Sequence, residues 1–172
     1  VVQNPFYNCY CSSESTDGTV SNIANVTFGN FSNGSDTLPA TNNSGVTATY
    51  SDYTGIGKIA VIRGSTYHFS VTQTDGASFA SAYIKAWIDY NQNGVYENSE
   101  LIYGGSTTGA SKGNTKHANI TIPASATFGV THLRVRLESG GASSGSACGT
   151  YSAGETEDYS MYIYDQKKID VA

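Results

Sequence analysis

Period-two alternation runs through this sequence, and no helical period of 3.6 residues competes with it. From Thr131 to Glu138, Leu133, Val135 and Leu137 fall on one side and His132, Arg134, Arg136 and Glu138 on the other. From Ala82 to Ile88, Ala82, Ile84, Ala86 and Ile88 oppose Tyr83, Lys85 and Trp87. Successive strand side chains point to opposite faces, so each stretch reads as a strand with one face on a core. Further strand signals lie at 20–28, 45–53, 58–62, 66–73, 101–103, 117–122 and 156–164, separated by Gly, Ser and Asn-rich runs. Roughly nine strands at this spacing predict an all-β fold, a β-sandwich of jelly-roll or immunoglobulin-like kind. A chain of 172 residues suits one module over 1–164, with 165–172 as a C-terminal tail or linker.

The connection between two of these strands carries chemistry. Asp89-Tyr90-Asn91-Gln92-Asn93-Gly94-Val95-Tyr96-Glu97-Asn98-Ser99-Glu100 reads D-x-N-x-N-G-x5-E. That is the ligand order of a Ca²⁺ loop, with Gly94 at the sharp turn. Asp89, Asn91 and Asn93 would supply side-chain oxygens, Val95 a carbonyl and Glu100 a closing carboxylate. The flanks alternate as strands, so this is a calcium loop within a β-fold and not an EF-hand. The rival is an Asn and Gly-rich hairpin that binds nothing.

Only 13% of residues are charged, while Tyr numbers 13. Abundant Gly, Ser, Thr and Asn beside so few charges is the profile of an exported β-protein, secreted or at the cell surface. The net charge of −5 and the lack of any basic run beyond Lys167-Lys168 argue against a nucleic-acid partner. No apolar stretch approaches the ~20 residues that span a bilayer. Val1-Val2-Gln3-Asn4-Pro5 opens like mature sequence, as in a processed or excised piece of something larger, and a monomer is expected. Of the cysteines Cys9, Cys11 and Cys148, the first two are too close for an easy mutual bridge. Either could reach Cys148, and three free thiols are the alternative.

Neither H-E-x-x-H nor C-x-x-C is present. His68, His117 and His132 sit singly on strands and suggest no metal site. Glu155, Glu157 and Asp158 can be read as a glycosidase acid/base set. The simpler reading is cross-strand ion pairs with Arg134 and Arg136, contributing ~0.2–1 kcal/mol each when exposed. Asp158 has a further possible role at the Ca²⁺ site.

Trp87-Ile88-Asp89-Tyr90-Asn91-Gln92-Asn93-Gly94, then Gly129 to Arg136, then Gly154-Glu155-Thr156-Glu157-Asp158-Tyr159 follow one another in a telling order. With Tyr10-Cys11 and Tyr50-Ser51-Asp52-Tyr53 they resemble the GEVED domain, from about Tyr10 to Tyr164. Thr156 stands where the family's name has Val. The resemblance implies a non-catalytic accessory β-sandwich on a large secreted bacterial protein, such as a peptidase or a polysaccharide-degrading enzyme. It also favours Cys11–Cys148 as the disulfide.

The surface reading is carbohydrate binding. Tyr and Trp offer flat apolar faces with a polar edge, suited to sugar rings, and loops commonly carry binding residues. Candidates are Tyr50, Tyr53, Tyr96 and Tyr103 in or beside loops, and Tyr83, Lys85 and Trp87 on one strand face, with core burial the rival role for Trp87. His132, Arg134 and Arg136 would fix hydroxyls or sulfates. The expected partners are a polysaccharide, neutral or sulfated, and a covalently attached catalytic domain. A peptidase accessory module or an adhesion module is the alternative.

Overall fold

The computed structural model describes residues 10–34, 48–75, 81–107, 114–140 and 145–165. Cys9 and residues 166–172 of the expected tail lie outside them. The described strands are β1 (Ser13–Ser15), β2 (Ser21–Phe28), β3 (Phe31–Gly34), β4 (Tyr50–Ile62), β5 (Thr66–Asp75), β6 (Ala82–Ile88), β7 (Leu101–Ser106), β8 (Asn114–Thr121), β9 (Gly129–Ser139), β10 (Gly149–Tyr151) and β11 (Gly154–Tyr164). They form a five-stranded sheet ordered β4-β11-β9-β6-β7, a four-stranded sheet ordered β3-β2-β5-β8, and a small parallel pair, β1 with β10. The expected β-sandwich is the fold, and 89–100 joins β6 to β7 as the alternation implied.

The inward faces make the main core. Val26 and Phe28 of β2 and Phe69 and Val71 of β5 meet Ile84 and Ala86 of β6, Leu133, Val135 and Leu137 of β9, and Met161 and Ile163 of β11, all essentially buried. On β6 and β9 these are the residues that the period-two reading places inward. Burying each such side chain contributes about 1.5–3 kcal/mol.

Three features differ from the sequence expectation. Of the expected strands at 45–53 and 58–62, residues 50–53 and 58–62 join into β4, which runs parallel to β11, while 45–47 lie outside the described residues. The register jumps from Tyr53 opposite Tyr159 to Lys58 opposite Ser160, so 54–57 bulge out and expose Ile56. Gly57, at φ 139, supplies backbone freedom that a side chain would oppose. The two short strands β1 and β10 lie outside the sequence's strand signals, because three-residue strands carry too little pattern to see. Finally, the outer face of the five-stranded sheet is not bare. β1, β10 and residues 145–148 cover part of it and enclose a second small core of Trp87, Tyr96 and Ala147, packed by Tyr10, Cys11 and Cys148.

The closing motif is structural throughout. Gly154 sits at φ 130, and a Cβ there would lie 2.0 Å from the Leu137 carbonyl oxygen. Glu155 crosses to the other sheet, accepting the Ile23 backbone N–H at 3.0 Å beside the bulge in β2, and the Ser51 hydroxyl at 2.7 Å. Thr156 is fully buried, and its hydroxyl lies 3.0 Å from Ser13 Oγ and 2.9 Å from Tyr151 Oη. Threonine in place of valine therefore ties both strands of the cover to the sheet. Glu157 accepts the Tyr159 hydroxyl at 2.5 Å.

Glu155 gives a pH prediction. Burial pushes its pKa up from 4.5 to about 7, against the hydrogen bonds from Ser51, Ile23 and Asn22. Folding therefore takes up a proton between these values. The stability linked to that proton is present below about pH 4.5 and lost as pH rises through about 7. Urea midpoints should fall by the equivalent of ~1–3 kcal/mol over this window relative to a Glu155→Gln variant, which stays neutral. Parallel curves for the two proteins would refute the assignment.

Candidate functional site

Cross-strand register builds one lateral row on the outer face of the five-stranded sheet. Asp52 of β4 is opposite Asp158 of β11, Asp158 is opposite Arg134 of β9, and Arg134 is opposite Trp87 of β6. The cover stops short of the β4 end of this row. A groove of about 470 Å³ is left there, walled by Tyr10 to Glu14 on one side and Tyr50, Asp52 and Thr54 on the other, with His132, Arg134 and Asp158 beneath.

The floor of the groove is held by a buried ion pair. Arg134 donates from Nε to Asp158 Oδ1 and from Nη2 to Oδ2, both at 2.7 Å. Its Nη1 donates to the carbonyls of Cys11 at 2.8 Å and Ala147 at 2.9 Å. The guanidinium lies 4.9 Å from the Tyr96 ring centroid. One side chain with five donors thus satisfies the carboxylate and two carbonyls of the cover that have no strand to pair with. Arg136 acts similarly, donating to the Ser146 carbonyl at 2.7 Å and to Glu138 at 2.9 Å, over the Tyr151 ring at 3.9 Å. The Cys11–Cys148 disulfide, with Cα atoms 5.6 Å apart, closes the cover.

Aromatic rings line the walls. Tyr10 stacks on His132 at 4.4 Å and on Tyr96 at 4.9 Å between centroids. Tyr50 is 41% exposed, and its hydroxyl donates to Asp158 Oδ2 at 3.0 Å. Burial holds the His132 imidazole below its usual range, outweighing the opposite pull of Asp158, Asp52 and Asp89. It therefore presents a neutral ring at pH 7. Glu14 and Asp52 are exposed at the rim.

Several sequence candidates for the ligand surface are corrected. Trp87 is 4% exposed and lies under the cover with Tyr96, since the second face of a central strand has its own core to pack. Arg134 and Arg136 are 2% and 5% exposed and turned to protein acceptors, so they offer no charge to a sulfate. Tyr53 stacks on Tyr159 at 5.5 Å, and Tyr103 packs against Phe69 at 6.0 Å, both half-buried. Tyr83 and Lys85 lie elsewhere on the outer face, where Lys85 Nζ donates to the Gly145 carbonyl at 2.6 Å. Only Tyr50 and His132 of the aromatic candidates reach the groove. Tyr10, Glu14 and Asp52 were missed as ligand candidates. Tyr10 and Asp52 had entered only as motif residues, and nothing in the pattern brings 10–14 over β4. The glycosidase reading of Glu155, Glu157 and Asp158 also goes. Glu155 and Glu157 are buried toward the opposite sheet, and Asp158 is taken by Arg134 and so is no Ca²⁺ ligand.

The 89–100 loop is folded on itself by hydrogen bonds to its own carboxylates and amides. Asp89 accepts the N–H groups of Asn93 at 3.2 Å and Gly94 at 2.9 Å. Asn91 Oδ1 accepts Asn93 N–H at 2.9 Å, and Asn93 Oδ1 accepts Val95 N–H at 2.8 Å. Each bond fixes the position of an oxygen. Glu100 accepts the N–H groups of Tyr90 at 2.8 Å, Asn91 at 3.2 Å and Glu97 at 3.1 Å. Asp89 and Glu100 are buried, have no ion-pair partner among the described residues, and burial raises the Glu100 pKa. A divalent cation would relieve both carboxylates. Among the described residues no three His, Cys, Asp or Glu side chains are grouped to hold a metal alone, so the amide oxygens are needed. Glu97, not foreseen, accepts Asn91 Nδ2 at 3.0 Å and Asn93 Nδ2 at 3.3 Å; it is the ninth loop position, which contributes in such loops through water. The loop also touches the groove, because the Tyr10 hydroxyl donates to Asp89 Oδ2 at 2.8 Å.

Residues 83–162 match the GEVED domain. The match spans β6 through most of β11, including the loop, the β9 arginines and the closing motif, as the sequence resemblance implied. GEVED domains are accessory modules that occur in secreted proteins. No curated protein matches the chain. Among solved structures, similarity is found to the CARDB domain of the PF1109 protein from Pyrococcus furiosus, a complex with di-metal ions, at 12% identity and TM-score 0.37, covering 63% of this chain and 82% of that one. It is also found to a Niemann-Pick type C2 protein from the Japanese carpenter ant, at 8% identity and TM-score 0.41, covering 84% and 93%. Neither likeness bears on ligand or metal here. No helix among the described residues is long and apolar enough to cross a membrane.

Proposed function

We propose that this GEVED-matching module binds a neutral polysaccharide, without cleaving it, in the groove between Tyr10 and Tyr50, and so anchors an attached catalytic domain to its substrate. The observation that carries this is the wall composition. Tyr50, the most exposed ring of the groove, offers a face to the C–H face of a sugar beside the stacked Tyr10 and His132, while Asp52 and Glu14 offer acceptors to pairs of hydroxyls. The carboxylates at the rim and the self-neutralised Arg134–Asp158 pair oppose a sulfated chain, which sets aside the cationic alternative. Affinity electrophoresis against neutral and sulfated polysaccharides tests the reading. Retention by a neutral polymer is expected, weakened about tenfold or more by Tyr50→Ala, the equivalent of ~1.4 kcal/mol. No retention by any polymer, with the fold intact by circular dichroism, would sink it and favour a peptidase accessory or adhesion role.

We further propose that Ca²⁺ occupies the 89–100 loop, held by Asp89, Asn91, Asn93, the Val95 carbonyl and Glu100. At a hundredfold excess over its dissociation constant, Ca²⁺ stabilises the folded state by about 2.7 kcal/mol, a melting shift of roughly 5–10 °C for a domain of this size. Chelation should remove that shift, and Asp89→Ala should abolish the response. An identical melting temperature in Ca²⁺ and chelator would remove the metal from this account. Since Tyr10 is bonded to Asp89, chelation should also weaken polysaccharide retention.

A further inference from the structure

The outer face of the four-stranded sheet, remote from the groove in the fold, holds a pairing that the sequence hides. His68 on β5 and His117 on β8 are 49 positions apart, yet His117 Nδ1 lies 3.2 Å from His68 Nε2. The two rings are stacked with centroids 5.2 Å apart. The register explains how. Ser70 is opposite His117, and His68 is opposite Asn119, so the histidines occupy one diagonal of a four-residue square on the solvent face. Tyr67, Phe69, Ala118 and Ile120 alternate with them toward the core. Both imidazoles are exposed, so water can complete a coordination sphere.

We propose that His68 and His117 chelate a borderline divalent transition ion of the Zn²⁺, Ni²⁺ or Cu²⁺ class. In the metal-free pair one ring nitrogen donates to the other, so a single proton lies between two lone pairs. Two imidazole nitrogens on one tetrahedral Zn²⁺, at about 2.0–2.1 Å each, stand roughly 3.3 Å apart. The observed separation already matches that edge, so the ion replaces the shared proton with little change in nitrogen spacing. Neutral imidazole is a ligand for these ions and not for Ca²⁺, which takes oxygen. The site is thus chemically separate from the 89–100 loop. Ser70 and Asn119 at the other corners carry no competing charge.

The test is calorimetric titration of the intact module with ZnCl₂ and CuCl₂ in buffer holding excess Ca²⁺. One site per chain is expected, tighter for Cu²⁺ than for Zn²⁺. His68→Ala and His117→Ala should each weaken it about tenfold or more, while His132→Ala leaves it unchanged. Electron paramagnetic resonance of the Cu²⁺ form should show two imidazole nitrogens, falling to one in either variant. Both positions are exposed, so the variants should keep the parent melting temperature. Absence of binding at millimolar metal, or binding that neither variant alters, would overturn the proposal.

Discussion

Replacing Asp158 by alanine will cost the module about 3–5 kcal/mol of folding stability, far more than an ion pair on a sheet surface would. The reason is what remains. Arg134 is 2% exposed and would keep its charge under the cover with its bidentate partner gone. Arg134→Ala should cost at least as much, because it also leaves the carbonyls of Cys11 and Ala147 without their donor. Denaturant midpoints of the two single variants and the double should be strongly non-additive, since each single change already breaks the same cluster. A loss under about 1 kcal/mol for Asp158→Ala would show that the pair is solvated and behaves as an exposed one. Tyr50 would report the same change locally, as its hydroxyl donates to that carboxylate.

This pair marks what the sequence could and could not convey. Alternation identified the β9 and β11 strands and put Arg134 and Arg136 near Glu155, Glu157 and Asp158, without singling out the Arg134–Asp158 pair. It could not say whether the far side of the sheet faced water, since a period of two describes both faces and covers neither. The cover comes from short strands and Gly and Ser-rich loops that carry no period. Trp87 accordingly looked available as a sugar platform and is instead core. The 89–100 motif was legible because its spacing is local, every position lying within one connection between two strands. The groove was not, because Tyr10, Asp52 and His132 are brought together only by strand order and by a parallel β4–β11 pairing. The His68–His117 pair was invisible for the same reason, each histidine reading alone as one outward position on its strand.

Reduction of the Cys11–Cys148 disulfide will produce the second large effect, and the protein carries its own reporter for it. The bridge joins residues 137 positions apart, so in the chain-entropy view it removes about 3–5 kcal/mol of freedom from the unfolded state. It also holds the cover against the sheet. Trp87 is the single tryptophan and is buried beneath that cover, with Cys11 and Cys148 packed on its cluster. The two sheets bury their main core on the opposite face, so the sandwich should survive in mild conditions while the cover loosens. Cys11→Ser/Cys148→Ser, made with Cys9→Ser so that no third thiol exchanges, should therefore show a red-shifted and acrylamide-quenchable Trp87 emission at denaturant concentrations where far-ultraviolet dichroism is still native. Tyr10 adjoins Cys11, so the groove wall should loosen with the same midpoint and polysaccharide retention should fall with it. Unchanged Trp87 emission and an unchanged unfolding midpoint would mean that Arg134, Arg136 and Thr156 hold the cover without the covalent bond.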